Sequence, residues 1–456
     1  MIFTGNVQNI CDFVCEVWAE RVQWKKESVL IHEGLRMKIK VRNKAYSYVA
    51  ALPRQTRQRP ARPMWLLGFV IRVISVFDLW SVKFTYRKIG MDKLGKKEPC
   101  LVLMNHSSFI DLKIANRILF PRKYNIVCTS DGFVGKHLLM RLIGCIPTQK
   151  FVTDLALVKD MSYAVNKLCS SILMYPEASY SFDGTATPLP ESLGKCLKVL
   201  KVPVVMVKTY GAFALDPLYN GLQRRKVRVC ADVEYILSPE EIASKSVEEL
   251  NEILQEQFSF DNFKWQQQNR VSVSEKFRAD FLNRVLYKCP HCKTEGQMIG
   301  KGIYLTCEQC GKTYELTEFG EMKAVEGETE FSHIPDWYRW QRECVREELV
   351  NGSYSLEVPV EICMLVNTKC IYRVGKGILK HSQEGFQLIG CDGQLNYAQK
   401  PSASYSLYSD YYWYELGDMI CIGNTEVLYY CFPADGGDVV AKTRLATEEL
   451  YKITKH

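Results

Sequence analysis

Between residues 96 and 236, short apolar runs alternate with segments of helical pattern, and this alternation constrains the fold more than any other feature of the chain. The runs at 100–105, 124–128, 171–176, 202–207 and 227–235 have strand length and are rich in Val, Ile and Leu. Helical patterns fall between them, near 108–119, 134–143, 155–168 and 191–199. Strands that alternate with helices stack as an α/β layer on a largely parallel sheet. Ser238-Pro239-Glu240-Glu241 then opens a polar helix with proline at its first position, and further helix is expected up to Tyr287.

At 456 residues the chain has room for two or three domains. Hydrophobic residues make up 47% and charged residues 24%, as in ordinary globular protein, and the formal net charge is +8. That charge is a modest bias toward anionic partners such as phospholipid or nucleic acid. Four segments are expected. Residues 1–63 form an N-terminal basic segment, and 64–287 carry the α/β layer. Residues 288–325 form a cysteine-bearing insert. Residues 326–456 hold a linker helix, a small β-rich domain and a C-terminal helix. The opening segment contains Asp12, Glu16 and Glu20 and does not read as a secretory leader. Fourteen of the eighteen cysteines are scattered singly through apolar runs, as buried small hydrophobes in a reducing compartment would be.

The other four cysteines form the most specific local pattern. Cys289-Pro290-His291-Cys292 and Cys307-Glu308-Gln309-Cys310 are two paired-cysteine knuckles separated by fourteen residues. Four thiolates so spaced suit tetrahedral Zn2+ in a closed, structural site. A redox pair is the competing reading, but it does not explain two matched knuckles. Residues 302–306 and 312–316 read as hairpin strands of a zinc ribbon, with His291 a bystander. Zinc ribbons often serve nucleic acid, yet Glu295, Glu308, Glu315, Glu318 and Glu321 nearly balance Lys288, Lys293, Lys301 and Lys312. A phosphate backbone is not favoured as a partner.

Two stretches ahead of the layer suggest a surface. Residues 54–63 contain four arginines and two prolines, and read as an exposed extended linker that is either solvated or laid on an anionic membrane. Met64 to Phe84 is strongly apolar, but Arg72 and Asp78 rule out a clean span. Gly68, Arg72, Ser75 and Asp78 make a narrow polar stripe on one helix face, which suits an interfacial helix. A core helix with a partly solvated edge is the alternative.

From Pro335 to Val350 the chain reads as one amphipathic helix. Residues 354–432 hold short strands with glycine turns, and 439–453 read as a helix. That is a small barrel or sandwich with a helical cap, similar in element order to a pleckstrin-homology-like domain. The aromatic run Tyr405 to Tyr414 fits ordinary strand core better than a ligand face.

Chemistry concentrates where the strands of the layer end. The run 101–104 stops at Asn105-His106-Ser107-Ser108-Phe109-Ile110-Asp111. A histidine is the side chain suited to taking a proton from a substrate hydroxyl, and an aspartate can fix its tautomer. With His106 in the turn and Asp111 in the first helical turn, the two can meet. Capping by Ser108 explains Ser108 and Asp111 but leaves His106 without a purpose. A second strand, 171–175, ends in Pro176-Glu177-Ala178-Ser179-Tyr180-Ser181, and a third carries Val202-Pro203-Val204-Val205.

The ordered set of blocks, His-x4-Asp, then Gly144-Cys145-Ile146-Pro147, then Pro-Glu, then Val-Pro-Val-Val, resembles the glycerolipid acyltransferase family, typified by 1-acylglycerol-3-phosphate acyltransferase. The resemblance covers roughly residues 65–235. It implies that His106 is the general base for the acceptor hydroxyl and that Asp111 orients it. It further implies that Asn105, Lys150, Glu177, Ser179 and Tyr180 lie on the acceptor side, with Lys150 placed for an acceptor phosphate. The donor implied is a thioester, acyl-CoA or acyl carrier protein, and the acceptor a lysophospholipid such as 1-acylglycerol-3-phosphate in phospholipid biosynthesis. The setting implied is the cytoplasmic face of a membrane, peripheral or monotopic. The family's third block usually carries an arginine where this chain has Tyr180. A changed acceptor, with Lys150 or Lys208 supplying charge, and a non-catalytic lipid-binding protein on the same fold are therefore the alternatives.

Overall fold

The apolar runs of the layer assemble into one sheet whose central strands are buried on both faces. The computed structural model describes residues 39–152, 154–434 and 439–455, and from Lys40 onward the chain forms one compact unit. The expectations for residues 1–38 lie outside the described residues. Strand β1 (Val41–Asn43), helix α1 (Tyr46–Ala50) and helix α2 (Trp65–Ser81) come first. The layer then runs β2 (Thr85–Ile89), β3 (Leu101–Met104), α3 (Asp111–Leu119), β4 (Tyr124–Thr129), α4 (His137–Ile143) and β5 (Cys145–Thr148). It continues with α5 (Leu155–Leu168), β6 (Ser171–Met174), α6 (Ser192–Leu200), β7 (Val204–Tyr210), α7 (Ala212–Leu215) and β8 (Cys230–Leu237). The strand order is β2-β8-β7-β3-β6-β4-β5, and only β7 and β8 pair antiparallel. A largely parallel sheet needs helices on its faces, and the helices between the strands supply them.

One expectation about this half is corrected, and two are made more specific. Helix does not continue to Tyr287: α8 (Pro239–Ser244), α9 (Val247–Phe258) and α10 (Asn262–Gln268) are followed by turns with one 3-10 turn at Leu282–Arg284. Loop hydrogen bonds hold this stretch, such as Arg278 Nε donating to the Leu316 carbonyl at 2.5 Å. Residues 54–63 are extended but not a free linker. Arg57 bonds Asp154 at 2.6 Å and Asp160 at 2.7 Å, and Arg59 lies over the Tyr163 ring, so the arginines strap the segment to α5. Third, α2 is not a core helix, because its polar stripe faces the protein. Ser75 is buried, Asp78 bonds Lys113 at 2.6 Å, and Arg72 lies over Phe120. The apolar residues face outward: Trp65, Leu66, Phe69, Val73, Phe77 and Trp80 are exposed, Trp80 at 79%. No described helix is long and apolar enough to cross a membrane.

The insert is a four-stranded antiparallel sheet, β9 (Met298–Lys301), β10 (Tyr304–Cys307), β11 (Thr313–Leu316) and β12 (Met322–Ala324), in the order β12-β11-β10-β9. Helix α11 (Ile334–Val350) follows, with Trp337 buried against Tyr314. The C-terminal strands are β13 (Leu356–Leu365), β14 (Ile371–Ser382), β15 (Gly385–Gly390), β16 (Leu395–Gln399), β17 (Tyr408–Trp413), β18 (Gly417–Gly423) and β19 (Leu428–Pro433). They pair in the order β16-β15-β14-β13-β19-β18-β17, and β1 joins β14 in parallel. Helix α12 (Val439–Lys455) ends the chain with a largely buried first half. The aromatic run packs inward as expected, with Tyr408, Tyr411 and Trp413 buried. One apolar cluster includes Leu305 and Tyr314 of the insert, Trp337 of α11, Ile362 and Ile420 of the C-terminal sheet and Leu445 of α12. These elements therefore share a core.

Candidate functional site

Parallel strands that end together place their following turns at one sheet edge, the usual ligand-binding edge of open α/β sheets. Here β3 lies between β6 and β7, so the turn carrying His106 sits beside the turn carrying Glu177. Asn105 locks the first turn to β7: its Oδ1 accepts from the Thr209 amide at 2.8 Å and its Nδ2 donates to the Thr209 carbonyl at 3.2 Å.

His106 Nδ1 is 3.0 Å from Asp111 Oδ2. That same oxygen accepts from the backbone amides of Ser107 at 2.8 Å and Ser108 at 3.1 Å. Asp111 thus both orders the turn entering α3 and fixes the imidazole. Its side chain is 1% exposed, whereas that of His106 is 22% exposed. An imidazole held through Nδ1 keeps Nε2 for a substrate proton. The ring lies between two aromatic rings, Tyr175 with centroids 4.4 Å apart and Tyr180 at 4.1 Å. Phe109 packs on Tyr180 from the other side, at 5.5 Å.

Glu177 is buried and ties two loops together. One carboxylate oxygen accepts from the His106 amide at 2.9 Å and the other from the Thr187 amide at 2.8 Å. Burial pushes its carboxyl up to about 7, against the pull of those bonds. Ser108 donates to Asp216, whose carboxyl burial likewise raises to about 7.

Sequence reasoning assigned His106 and Asp111 as the catalytic pair and Asn105, Lys150, Glu177, Ser179 and Tyr180 to the acceptor side, and all of these but Lys150 fall into one neighbourhood. Lys150 lies elsewhere in that region, its ammonium 3.9 Å from the centroid of the Tyr408 ring and interacting with Asp410 and Asp131. Burial lowers its pKa. Lys208 sits among Glu234, Asp232 and Glu256. Sequence reasoning missed Thr187, Thr209 and Asp216, which are ordinary loop and strand residues without a local signal. It also missed Arg444 of α12. That guanidinium donates to Ser179 Oγ and to the Tyr180 carbonyl, each at 3.3 Å, from 265 and 264 residues along the chain.

A family model described as Acyltransferase matches residues 85–208, the stretch that holds His106, Asp111 and Glu177. Through this stretch the chain is similar to the acyltransferases of glycerolipids. The human protein "1-acyl-sn-glycerol-3-phosphate acyltransferase beta" is 23% identical over 159 residues. That alignment covers 34% of this chain and 55% of the human one, so this chain spans about half the length of that relative. Among solved structures, the 1-acyl-sn-glycerophosphate (LPA) acyltransferase PlsC from Thermotoga maritima aligns at 16% identity and a TM-score of 0.35. The alignment covers 42% of this chain and 77% of that one. The residues matched by the family model run from β2 into β7 of the α/β layer, and the cysteine-bearing insert and the C-terminal sheet fall outside them.

A second site lies in the ribbon. The sulfurs of Cys289, Cys292, Cys307 and Cys310 all lie within 4.8 Å of one another and could hold a metal ion. The Cys289 and Cys310 sulfurs are 3.8 Å apart and those of Cys292 and Cys307 3.7 Å. Cys289 and Cys307 are buried, and among the described residues no His, Asp or Glu joins the cluster. His291 points away to Glu330, at 3.2 Å. Among the described residues sixteen cysteines are free of disulfides.

Proposed function

We propose that this protein transfers a fatty acyl group from a thioester donor, acyl-CoA or acyl carrier protein, to a hydroxyl of a lysophospholipid-like acceptor, in phospholipid biosynthesis. The observation that carries this reading is the His106–Asp111 pair in the turn that follows β3, with the acid buried and the imidazole partly exposed. His106 Nε2 takes the hydroxyl proton as the acceptor oxygen attacks the thioester carbonyl. The carbon–sulfur bond then breaks, and the departing sulfur takes that proton back as a thiol. Asp111 keeps the imidazole in the required tautomer and offsets the charge it gains. General-base help of this kind is worth about 10²–10⁴-fold, and alignment of the two reactants contributes the rest. Glu177 holds the two loops that shape the acceptor side.

The human relative's printed name makes 1-acylglycerol-3-phosphate the first acceptor to test. A different acceptor is the second reading, and two observations favour it: Tyr180 packs on His106, and Lys150 lies over Tyr408 among Asp410 and Asp131. The purified chain, given acyl-CoA or acyl carrier protein with a panel of lysophospholipids, should form diacyl product. His106→Ala should reduce product to background. Absence of transfer to every acceptor with either donor would sink the reading.

Zinc is the metal that best suits the ribbon. Tetrahedral Zn2+ with bonds of about 2.3 Å sets thiolate edges at about 3.8 Å, close to the two spacings above. The four cysteines supply every ligand, so the ion would support folding and take no part in transfer. Seven strands followed by the terminal helix support reading the C-terminal region as pleckstrin-homology-like. The outward apolar face of α2 supports peripheral attachment to a membrane, with the catalytic layer at its cytoplasmic face.

A further inference from the structure

The loop that places Tyr180 over His106 is held from outside the acyltransferase domain. Residues 178–182 have no regular structure, and Ala178 has φ 55°, the left-handed region that disfavours any residue with a Cβ. A loop with such a residue persists only where its surroundings over-determine it. Glu177 supplies one constraint, through the His106 and Thr187 amides. The other comes from the C-terminal elements. Arg444 Nη1 donates to Ser179 Oγ and to the Tyr180 carbonyl, and its guanidinium lies over the Phe182 ring at 4.4 Å. Phe182 also packs against Tyr411 of β17, with centroids 4.8 Å apart.

Arg444 is itself placed with care. A buried guanidinium is costly without a partner. Glu448, one turn on, takes Nε at 3.2 Å and also accepts from Ser406 at 2.6 Å, while Arg342 of α11 pairs with its other oxygen at 2.7 Å. This arrangement satisfies the charge through Nε and turns Nη1 toward the loop. A lysine could not serve both ends, since the planar fork is what reaches them together.

We infer that Arg444 is a positioning residue for acyl transfer: acting through Ser179 and Tyr180, it keeps the Tyr180 ring against the His106 imidazole, so that the catalytic layer is completed by the C-terminal helix. The inference rests on the acyl-transfer reading above. Misplacement of a reacting group by about 1 Å costs up to about 10²-fold in rate. In the full-length chain, Arg444→Lys should lower kcat at least about tenfold while the donor KM stays within about twofold. Tyr180→Ala should do the same. Because both act through one contact, the double variant should be no slower than the worse single one. Equal kcat in wild type and Arg444→Lys, or effects that multiply, would overturn the inference.

Ser179→Ala removes one of the two acceptors without stranding a buried charge. It keeps the test open if Arg444→Lys does not fold, and a loss of a few-fold in kcat is expected. Wild-type kcat in this variant would count against Arg444. A second readout does not need turnover. The ring protons of His106, flanked by Tyr175 and Tyr180, should change chemical shift in Arg444→Lys and in Ser179→Ala. Unmoved resonances would mean that Arg444 only supports the helix. If wild type transfers no acyl group, the functional reading fails, and the resonances still decide the placement of Tyr180.

Discussion

At the scale of single residues, the site combines one partly exposed base with several carboxyl groups kept from water. Replacing Asp111 by Asn leaves a side chain of the same size. The buried oxygen that anchors His106 Nδ1 and two amides would become an amide of uncertain orientation and no charge. Asp111→Asn should therefore lower kcat by about 10²-fold or more, measured as diacyl product from saturating donor and acceptor. The buried acids also set a pH dependence of stability. Burial raises Glu177, Asp216 and Asp410 to about 7, above their ordinary carboxylate range. The folded chain then binds more protons than the unfolded chain from roughly pH 4 to 7, so stability falls as pH rises across that window. Urea midpoints should be higher at pH 5.5 than at pH 7.5. Asp410→Asn, which needs no ionisation, should flatten the difference and raise the pH 7.5 midpoint. A midpoint that rises with pH in wild type would contradict this account.

At the scale of elements, the ribbon makes the clearest demand. Its four strands are three or four residues long, too short to be stable alone, and its two knuckles close on four thiols. Cys307 is buried, and Met298, its partner in β9, is buried too. A strong chelator, or Cys307→Ser, should therefore lower Tm and release about one equivalent of metal, seen by mass spectrometry of the native protein. No bound metal in protein prepared without chelator would remove the premise. The ribbon was legible because its signal is local, two short motifs at fixed spacing. So were the turns after β3 and β6, where apolar runs stop at polar residues. Two strands of the layer were not legible, and both are sheet edges. β2 reads Thr-Tyr-Arg-Lys-Ile and is exposed throughout, so it has no apolar run. β5 contains Pro147, which an edge strand tolerates because one of its sides is not paired. Arg444 was hidden for a different reason, since it reaches Ser179 and Tyr180 from 265 and 264 residues along the chain.

At the scale of the whole molecule, the same side chains that fail to form a core define a surface. α2 turns Ser75 and Asp78 inward and leaves Trp65, Phe69, Phe77 and Trp80 to solvent. Phe109 and Leu112 of the neighbouring catalytic segment are also exposed, at 53% and 40%, so the apolar surface continues to the residues flanking Asp111. Exposed aromatics in that number are costly in water and mark an interaction surface. Lys113 and Arg224, both paired with Asp78, add basic groups at its margin that suit anionic head groups. A lipid acceptor held in a bilayer would reach His106 without leaving it. Fully burying one large apolar side chain is worth about 1.5–3 kcal/mol, so losing two should weaken attachment by at least about tenfold. Leu66→Ser with Trp80→Ser, both largely exposed, should leave Tm nearly unchanged. Co-sedimentation with anionic vesicles should fall by that factor, and so should turnover of a long-chain lysolipid presented in them. Turnover of a short-chain, water-soluble acceptor should persist, because the His106–Asp111 pair is untouched. Equal vesicle binding by wild type and the double variant would assign this face to a protein partner instead. Loss of activity on both acceptors would mean that α2 shapes the catalytic turn itself.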